Sequence, residues 1–590
     1  MKNRSGLNYL QTLESAVLHH NAGKLETARD LYNELLAERT DDPEVLHMLG
    51  LLCAQLGQVI QGIDFVSKAL EINPRQYLFH LHHAKLLSAG GQWEAAVSAA
   101  DVALVLAPDR PAAYLEKAHA LRAGGLHTQA LAVLEVALSM ESDVSQVLAC
   151  MGDCLHALDQ TDDALAHYDA ALQRQPKCLE AHAGKGLALL AVKRWTDAIH
   201  CFDQLVALAP NQSAHFFHRA VASQALHQWD AAIADYGQAI ALQADFIQAY
   251  CNRGNVYQEL GQYALALKDY EGALQIQPGC AQALYNKSLL LLLLGDFAAA
   301  WPLYEWRWRK DEMRAQWINC AQQQWTGAQS LAGRTVLLHC EQGLGDSIQF
   351  VRFAPMVRSL AAKVFIRAPR TLMVLFESLG ADIYCLSMEA PLPDFDYHCP
   401  LMSLPHAFRT QLSTIPASPR YLAAAPERLR KWQERIGVKG YNRVGIVCSG
   451  SSSHPDDLQR SIPLEMLLQA LPPHFEYYIL QNELRPEDQA YMERHGRVQF
   501  YGEQLRDFAD TAAVCACMDA VVSVDTSVAH LSGALGIPTN VLLPQVPDWR
   551  WLLGRSNSPW YPSMTLYRQG GNRRWAPVLT QLAADLQSWL

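Results

Sequence analysis

No run of ~20 uninterrupted apolar residues, the length a membrane-spanning helix needs, occurs in this chain. The longest candidate, the leucine stretch 289–294, stops at Gly295 and Asp296. The opening residues, MKNRSGLNYLQTLE, lack the apolar core of a secretion signal. The 14 cysteines include no CxxC pair and suggest no zinc site; Cys150 and Cys154 share a helical face, and Cys515 and Cys517 are one residue apart. Scattered cysteines without a secretion signal imply reduced thiols and a cytoplasmic location. Basic residues are also short: 48 Lys and Arg against 59 Asp and Glu leave a net charge of −11, without the basic footprint that nucleic-acid binding requires. With 50% hydrophobic and 18% charged residues the composition is that of a folded protein, and 590 residues exceed what one core serves.

What is present first is a repeat. Stepping back by 34 residues from Ala300 gives Ala266, Ala232, Ala198, Ala164, Ala130, Ala96, Gly62 and Ala28, all small. Twelve residues before each stands a second small series: Ser288, Gly254, Ala220, Gly186, Gly152, Ala118, Ala84, Gly50 and Ala16. Aromatic residues follow the first series at Tyr304, Tyr270, Tyr236, Phe202 and Tyr168, and proline recurs at Pro278, Pro210, Pro176, Pro108 and Pro74. Two antiparallel helices approach closely only where small side chains face each other; aromatics fill the adjacent gaps, and proline, lacking an N–H, ends the second helix. Period and residue types resemble the tetratricopeptide repeat over residues 10–312 and predict an α-solenoid with a concave face suited to a polypeptide. Asn252, Asn286 and Asn255 would offer amides to a peptide backbone there, as in the asparagine ladder of O-linked N-acetylglucosamine transferases. Earlier units carry His218, Gly184 and Cys150 at the ladder position.

After residue 312 the rhythm stops. A polar stretch, 313–332, reads as a linker; strand-like runs then alternate with helical segments (TVLLHC, KVFIRA, RVGIVCS, FEYYILQ, AVVSVD, TNVLLP). This alternation predicts two α/β units with parallel sheets, 333–425 and 443–575, joined by a helical connection at 426–442. A last helix at 576–590 is expected to pack back onto the first unit.

Three segments carry the chemistry. In E-Q-G-L-G-D-S, Gly343 and Gly345 sit at a strand-to-helix turn, where glycine permits close ligand approach and the helix N-terminus favours anions. Ile348 breaks the dinucleotide fingerprint, and no lysine completes a P-loop. Asp346 is either an N-terminal helix cap or a general base for an attacking hydroxyl, with Glu341 as the competing carboxylate. In C-S-G-S-S-S-H-P-D-D-L-Q-R, residues 448–460, Ser449 and Ser451 supply hydroxyls at a strand end and Arg460 a guanidinium matched to phosphate. In V-S-V-D-T-S-V-A-H-L-S-G-A-L-G-I-P-T, Asp525 ends a strand, Thr526 or Ser527 caps the next helix, and His530 lies one turn in. Aromatics and arginines alternate in D-W-R-W-L-L-G-R-S-N-S-P-W-Y-P, either to stack on sugars or bases, with Arg550 or Arg555 on phosphate, or as core packing.

Together these motifs resemble the heptosyltransferase-like glycosyltransferases (family 9) over residues 333–585, and the layout with repeats resembles a bacterial group of repeat-containing transferases. The resemblance implies a GT-B fold of two Rossmann-like domains and inverting, metal-independent transfer from a nucleotide-sugar co-substrate. It implies Asp346 as base, with Gly343, Gly345, Ser449, Ser451, Arg460, Asp525, Thr526, Ser527 and His530 around the donor. Family members often carry glycine at Ser527 and lysine near Arg460. The acceptor implied is a polypeptide on the repeats, such as flagellin or another surface protein. The alternatives are a scaffold with a degenerate transferase domain and a transferase acting on a glycan.

Overall fold

The computed structural model describes residues 2–140, 144–416, 418–451, 457–496 and 498–588. The chain divides into two compact units, Met1–Ala244 and Asp245–Leu590.

The first unit consists of paired antiparallel helices, from Lys2–Asn21 to Trp229–Leu242. The small positions of both series are buried, and their role is visible in the glycines. A Cβ on Gly152 would lie 2.7 Å from the Tyr168 ring, and one on Gly186 2.8 Å from Phe202. The aromatic therefore sits directly on the small residue of its partner helix, not in a gap beside it. A further series also keeps the register: Gly23, Gly57, Gly91, Gly125, Asp159, Lys193 and His227 all have positive φ. Each lies in the turn between the two helices of a unit, where the left-handed conformation lets the chain reverse.

The second unit opens with the last helices of the series, Ile247–Glu259, Tyr263–Ile276, Ala281–Leu294 and Phe297–Tyr304. It then forms two all-parallel sheets. The first contains β1 (Gln323–Gln324), β2 (Thr335–His339), β3 (Lys363–Ala368), β4 (Ile383–Ser387) and β5 (Tyr397–Pro400), in the order β1-β5-β2-β3-β4. The second contains β6 (Arg443–Val447), β7 (Glu476–Ile479), β8 (Val498–Phe500), β9 (Ala520–Val524), β10 (Thr539–Leu543) and β11 (Met564–Arg568), in the order β11-β10-β9-β6-β7-β8. The second order is that of a doubly wound sheet, with its reversal between β6 and β9; the first sheet reverses between β2 and β5. Ligands of such sheets bind outside the carboxyl ends of the strands at these reversals.

Two stretches behave differently from the sequence reading. The 313–332 segment is partly built into the fold: β1 pairs with β5, and Ile318, Trp325 and Leu331 are buried. The C-terminal helix, Ala576–Gln587, packs on the second sheet and not on the first, burying Val578, Leu579, Leu582 and Leu586 with Val444, Ile446 and Leu467.

The last repeat helices and the first sheet share one core. Trp301, Tyr304, Phe350, Trp549 and Trp560 pack edge to face and stacked within it. Arg307, just beyond the final helix and fully buried, forms an ion pair of 2.9 Å with the equally buried Glu341 and donates to Ser403 at 2.7 Å.

Candidate functional site

β2 ends at His339, and the chain enters the Leu344–Phe350 helix through Cys340, Glu341, Gln342 and Gly343. This short segment is fixed from the repeat side. Gln342, at φ 58° without glycine's freedom, is held there by two hydrogen bonds that it donates: its backbone N–H to the Gln316 side chain at 2.8 Å and its amide to the Tyr304 hydroxyl at 3.0 Å. Glu341 accepts from Arg307 and from the Met402 N–H at 3.1 Å. Burial pushes its carboxyl up to about 7, against the pull of Arg307. A carboxylate with no exposed surface and three donors around it is a structural group, which separates Glu341 from Asp346.

Asp346 faces the second sheet. One carboxylate oxygen accepts the Gly343 N–H at 2.8 Å, so Asp346 caps its own helix from within the first turn. The other oxygen is paired with Arg550, which also holds Asp548 at 2.8 Å. The Asp346 side chain is 18% exposed and that of Arg550 9%.

Gly345 is one place where the two α/β halves touch. A Cβ there would lie 3.0 Å from the His530 ring and 3.3 Å from the Ser527 Cα, so the Leu344–Phe350 and Ser527–Ala534 helices meet at this glycine. Helix contact is thus one reason for glycine at this position. Thr526 is buried and its hydroxyl is 3.2 Å from that of Ser523; it makes no side-chain cap. Ser527 begins the helix, half-buried beneath Gly345.

His530 is buried; its Nδ1 is 2.9 Å from the Tyr561 hydroxyl, and its ring stacks on Trp551 at 5.3 Å. Burial, with Arg550 and Arg352 nearby, holds it well below the usual histidine range and therefore neutral. Its Nε2 lies 4.0 Å from Asp525. Burial and the neighbouring Asp548 carboxylate push Asp525 up to about 6.

Arg460 joins the ends of β6 and β9. It donates to the Asp525 carbonyl at 3.0 Å and lies against Gly450, where a Cβ would come within 2.5 Å of the guanidinium. Its Nε is buried, 4.0 Å from the Asp457 carboxylate, and has no hydrogen-bond partner among the described residues. Ser449 is buried and accepts from Gln481 at 3.1 Å, whereas Ser451 is exposed. The rest of this loop, 452–456, lies outside the described residues.

Thus Asp346, Gly343 and Gly345 from one sheet and Arg460, Asp525, Thr526, Ser527 and His530 from the other converge at the carboxyl ends of both. Sequence reasoning missed Asp548, Gln481 and Tyr561. It also missed Tyr285 of the last repeat, whose ring lies tilted against that of Tyr304 at 5.7 Å and which feels the charges of Arg307, Arg550 and Asp346. The aromatic segment is settled as core: Trp549, Trp551, Trp560 and Tyr561 are buried, so their faces do not stack on a ligand. Asn286 and Asn255 bond to each other at 2.8 Å, and Tyr270 donates to Asn255, so these amides tie neighbouring repeats together. One D-x-D triplet, Asp394 to Asp396, precedes β5 at the amino end of the sheet, where Asp396 binds Arg334 and the Thr335 N–H.

Sequence profiles of the tetratricopeptide repeat match residues 43–76, 81–143, 155–213 and 247–280, and a TPR repeat profile matches 225–261. The N-terminal helices are tetratricopeptide repeats. Protein FlbA of Caulobacter vibrioides is 25% identical to the chain over 317 residues, 49% of this chain and 52% of FlbA. The chain thus spans about half the length of the curated relative it matches. Among solved structures, MamA is 24% identical, covering 28% of this chain and 98% of MamA with a TM-score of 0.26. A tetratricopeptide repeat protein from Parabacteroides merdae is 12% identical, covering 44% of this chain and 98% of its own, with a TM-score of 0.36. Tetratricopeptide repeats provide surfaces for protein or peptide partners, and no helix among the described residues is long and apolar enough to cross a membrane.

Proposed function

We propose that this chain is a GT-B glycosyltransferase that moves a sugar from a nucleotide-activated donor to a hydroxyl of a polypeptide held by the repeats, with inversion and without a metal. The observation that carries this reading is that Arg550 links Asp346 to the surroundings of Asp525, whose carbonyl holds Arg460, at the strand ends where parallel α/β sheets bind ligands. Arg460 and the first N–H groups of the Ser527–Ala534 helix would take the charge of the departing diphosphate. Asp346 would accept the proton of a Ser or Thr hydroxyl as its oxygen attacks the anomeric carbon and the bond to the diphosphate breaks. Before it can act, Arg550 has to turn from Asp346 toward another anion, and the donor diphosphate is one that this site would bring.

That same ion pair favours a second reading, a scaffold whose α/β part binds nucleotide or protein without catalysis. A thermal-shift panel of nucleoside diphosphates and nucleotide-sugars on the wild type, Arg460→Ala and Asp346→Asn separates them. The transferase reading expects stabilisation by one nucleotide class, lost in Arg460→Ala and kept in Asp346→Asn, with sugar transfer abolished in the latter. Folded protein that no nucleotide stabilises would leave the scaffold.

A further inference from the structure

A second cluster of reactive groups lies far from this site in sequence, inside the first unit. Cys150, on the Val144–Ala157 helix, accepts a hydrogen bond from Arg122 Nη1, with the sulfur 3.5 Å away. His119, one turn before Arg122, and Cys154, one turn further on, also act on this sulfur. The Pro111–Ala123 helix thus presents Glu116, His119 and Arg122 to it, with Lys85 of the preceding repeat acting on Glu116. His119 Nδ1 lies 4.0 Å from Glu116, and Arg122 is paired with Asp153 at 2.9 Å. Tyr168 of the Thr161–Arg174 helix donates to Asp153 at 2.7 Å.

The arrangement has parts that activate a thiol: a guanidinium on the sulfur that is itself held by Asp153, an imidazole one turn before that arginine, and a second thiol one helical turn along. Burial pushes the thiols of Cys201, Cys251, Cys340 and Cys448 up, whereas the Cys154 thiol, His119 and Arg122 draw Cys150 down in spite of its burial. Cys150 itself is buried, but the His119 side chain beside it is 46% exposed, so a reagent the size of hydrogen peroxide has an approach.

We propose that Cys150 is a peroxide-reactive thiolate, with Arg122 and His119 as its cationic partners and Cys154 as its resolving thiol. The Cys150 sulfur attacks one peroxide oxygen. The S–O bond forms and the O–O bond breaks; the leaving hydroxide takes the His119 proton and departs as water. Sulfur is oxidised by two electrons to the sulfenic acid and the peroxide is reduced. Cys154 then attacks that sulfur: the S–S bond forms, the S–O bond breaks, and hydroxide leaves with the Cys154 proton as a second water. Cβ atoms one helical turn apart stand about 5–6 Å from each other, and a disulfide wants about 3.8 Å, so closure has to distort this turn.

The test is independent of any sugar transfer. The full chain is treated with sub-millimolar hydrogen peroxide, quenched, and its cysteines mapped by mass spectrometry. A disulfide between residues 150 and 154 is expected before Cys201, Cys251, Cys340 or Cys448 is modified. Cys154→Ser should instead carry oxygen adducts on Cys150. His119→Gln, at an exposed position, should slow the reaction at least tenfold near neutral pH with the melting temperature unchanged. Oxidation of Cys150 no faster than that of the other four, in folded protein, overturns the proposal; so does an unchanged rate in His119→Gln.

Discussion

Arg550 and Asp346 are 204 positions apart and bonded side chain to side chain, guanidinium to carboxylate, at the point where the two α/β halves meet. Arg550 also holds Asp548, and Asp525 lies within the influence of the same guanidinium. Arg550→Met would leave these three carboxylates facing one another without a counter-charge. Removing one partner of a buried pair costs about 3–5 kcal/mol. Urea unfolding of Arg550→Met against the wild type measures the loss; unchanged stability would contradict the charge argument.

Asp525 should titrate in the folded state near 6, above the ordinary aspartate value of 3.8. A carboxyl raised on folding makes the native state bind more protons than the unfolded one, so this group's contribution falls as pH rises from about 4 to 6. Asp525→Asn, which keeps the neutral shape, should therefore gain stability relative to wild type across that window, by up to about 3 kcal/mol. Paired denaturation curves at half-unit pH steps would show it, and a flat difference would refute the assignment.

Asp159, Lys193 and His227 have φ of 60°, 60° and 58°, at positions where the register elsewhere places glycine. A side chain in the left-handed region costs roughly 1–2 kcal/mol, offset in part by the backbone freedom that glycine brings to the unfolded chain. Each change to glycine should raise the melting temperature, and the three should add because the sites are three separate turns. The reverse change, Gly125→Ala, should lower it.

Gly345→Val would drive a branched side chain into His530 and the Ser527 backbone, a contact already at 3.0 and 3.3 Å for a bare Cβ. Overpacking of this kind costs about 1–3 kcal/mol. The two helices should separate, and any nucleotide-induced shift in melting temperature should weaken along with the loss of stability. Gly152→Ala, against the Tyr168 ring, should cost a similar amount and leave nucleotide response intact.

Much of the repeat half was legible because one helix pair recurs every 34 residues and each small or aromatic position reports the same contact. The positive-φ turn series kept the same register but escaped notice where Asp159, Lys193 and His227 replace glycine. In the α/β half, the apolar runs announced β2, β3, β6, β7, β9 and β10. The short or mixed strands β1, β4, β5, β8 and β11 passed unseen, because four residues such as Tyr397–Pro400 carry no period of their own. Asp346 could be singled out by its turn, but its partner could not: parallel topology, not local spacing, brings residue 550 to residue 346. Glu341 stood beside it as the competing carboxylate, and its pairing with Arg307 is equally invisible to local spacing. The tryptophans of the 548–562 segment gave no sign of direction, since a ring that packs in a core and one that meets a sugar are written with the same letters.

The Glu341–Arg307 ion pair makes the sequence boundary near residue 332 a poor place to cut. A fragment beginning there would keep Glu341 in its apolar surroundings but lose Arg307, along with Tyr304 and Gln316 that steady Gln342. The stray carboxylate would either take up a proton or open the β2 end to water, and the neighbouring turn that carries Asp346 would lose its fixed shape. The α/β half is therefore finished by its repeats: the last of them is as much a brace for the turn before Asp346 as an end of the array.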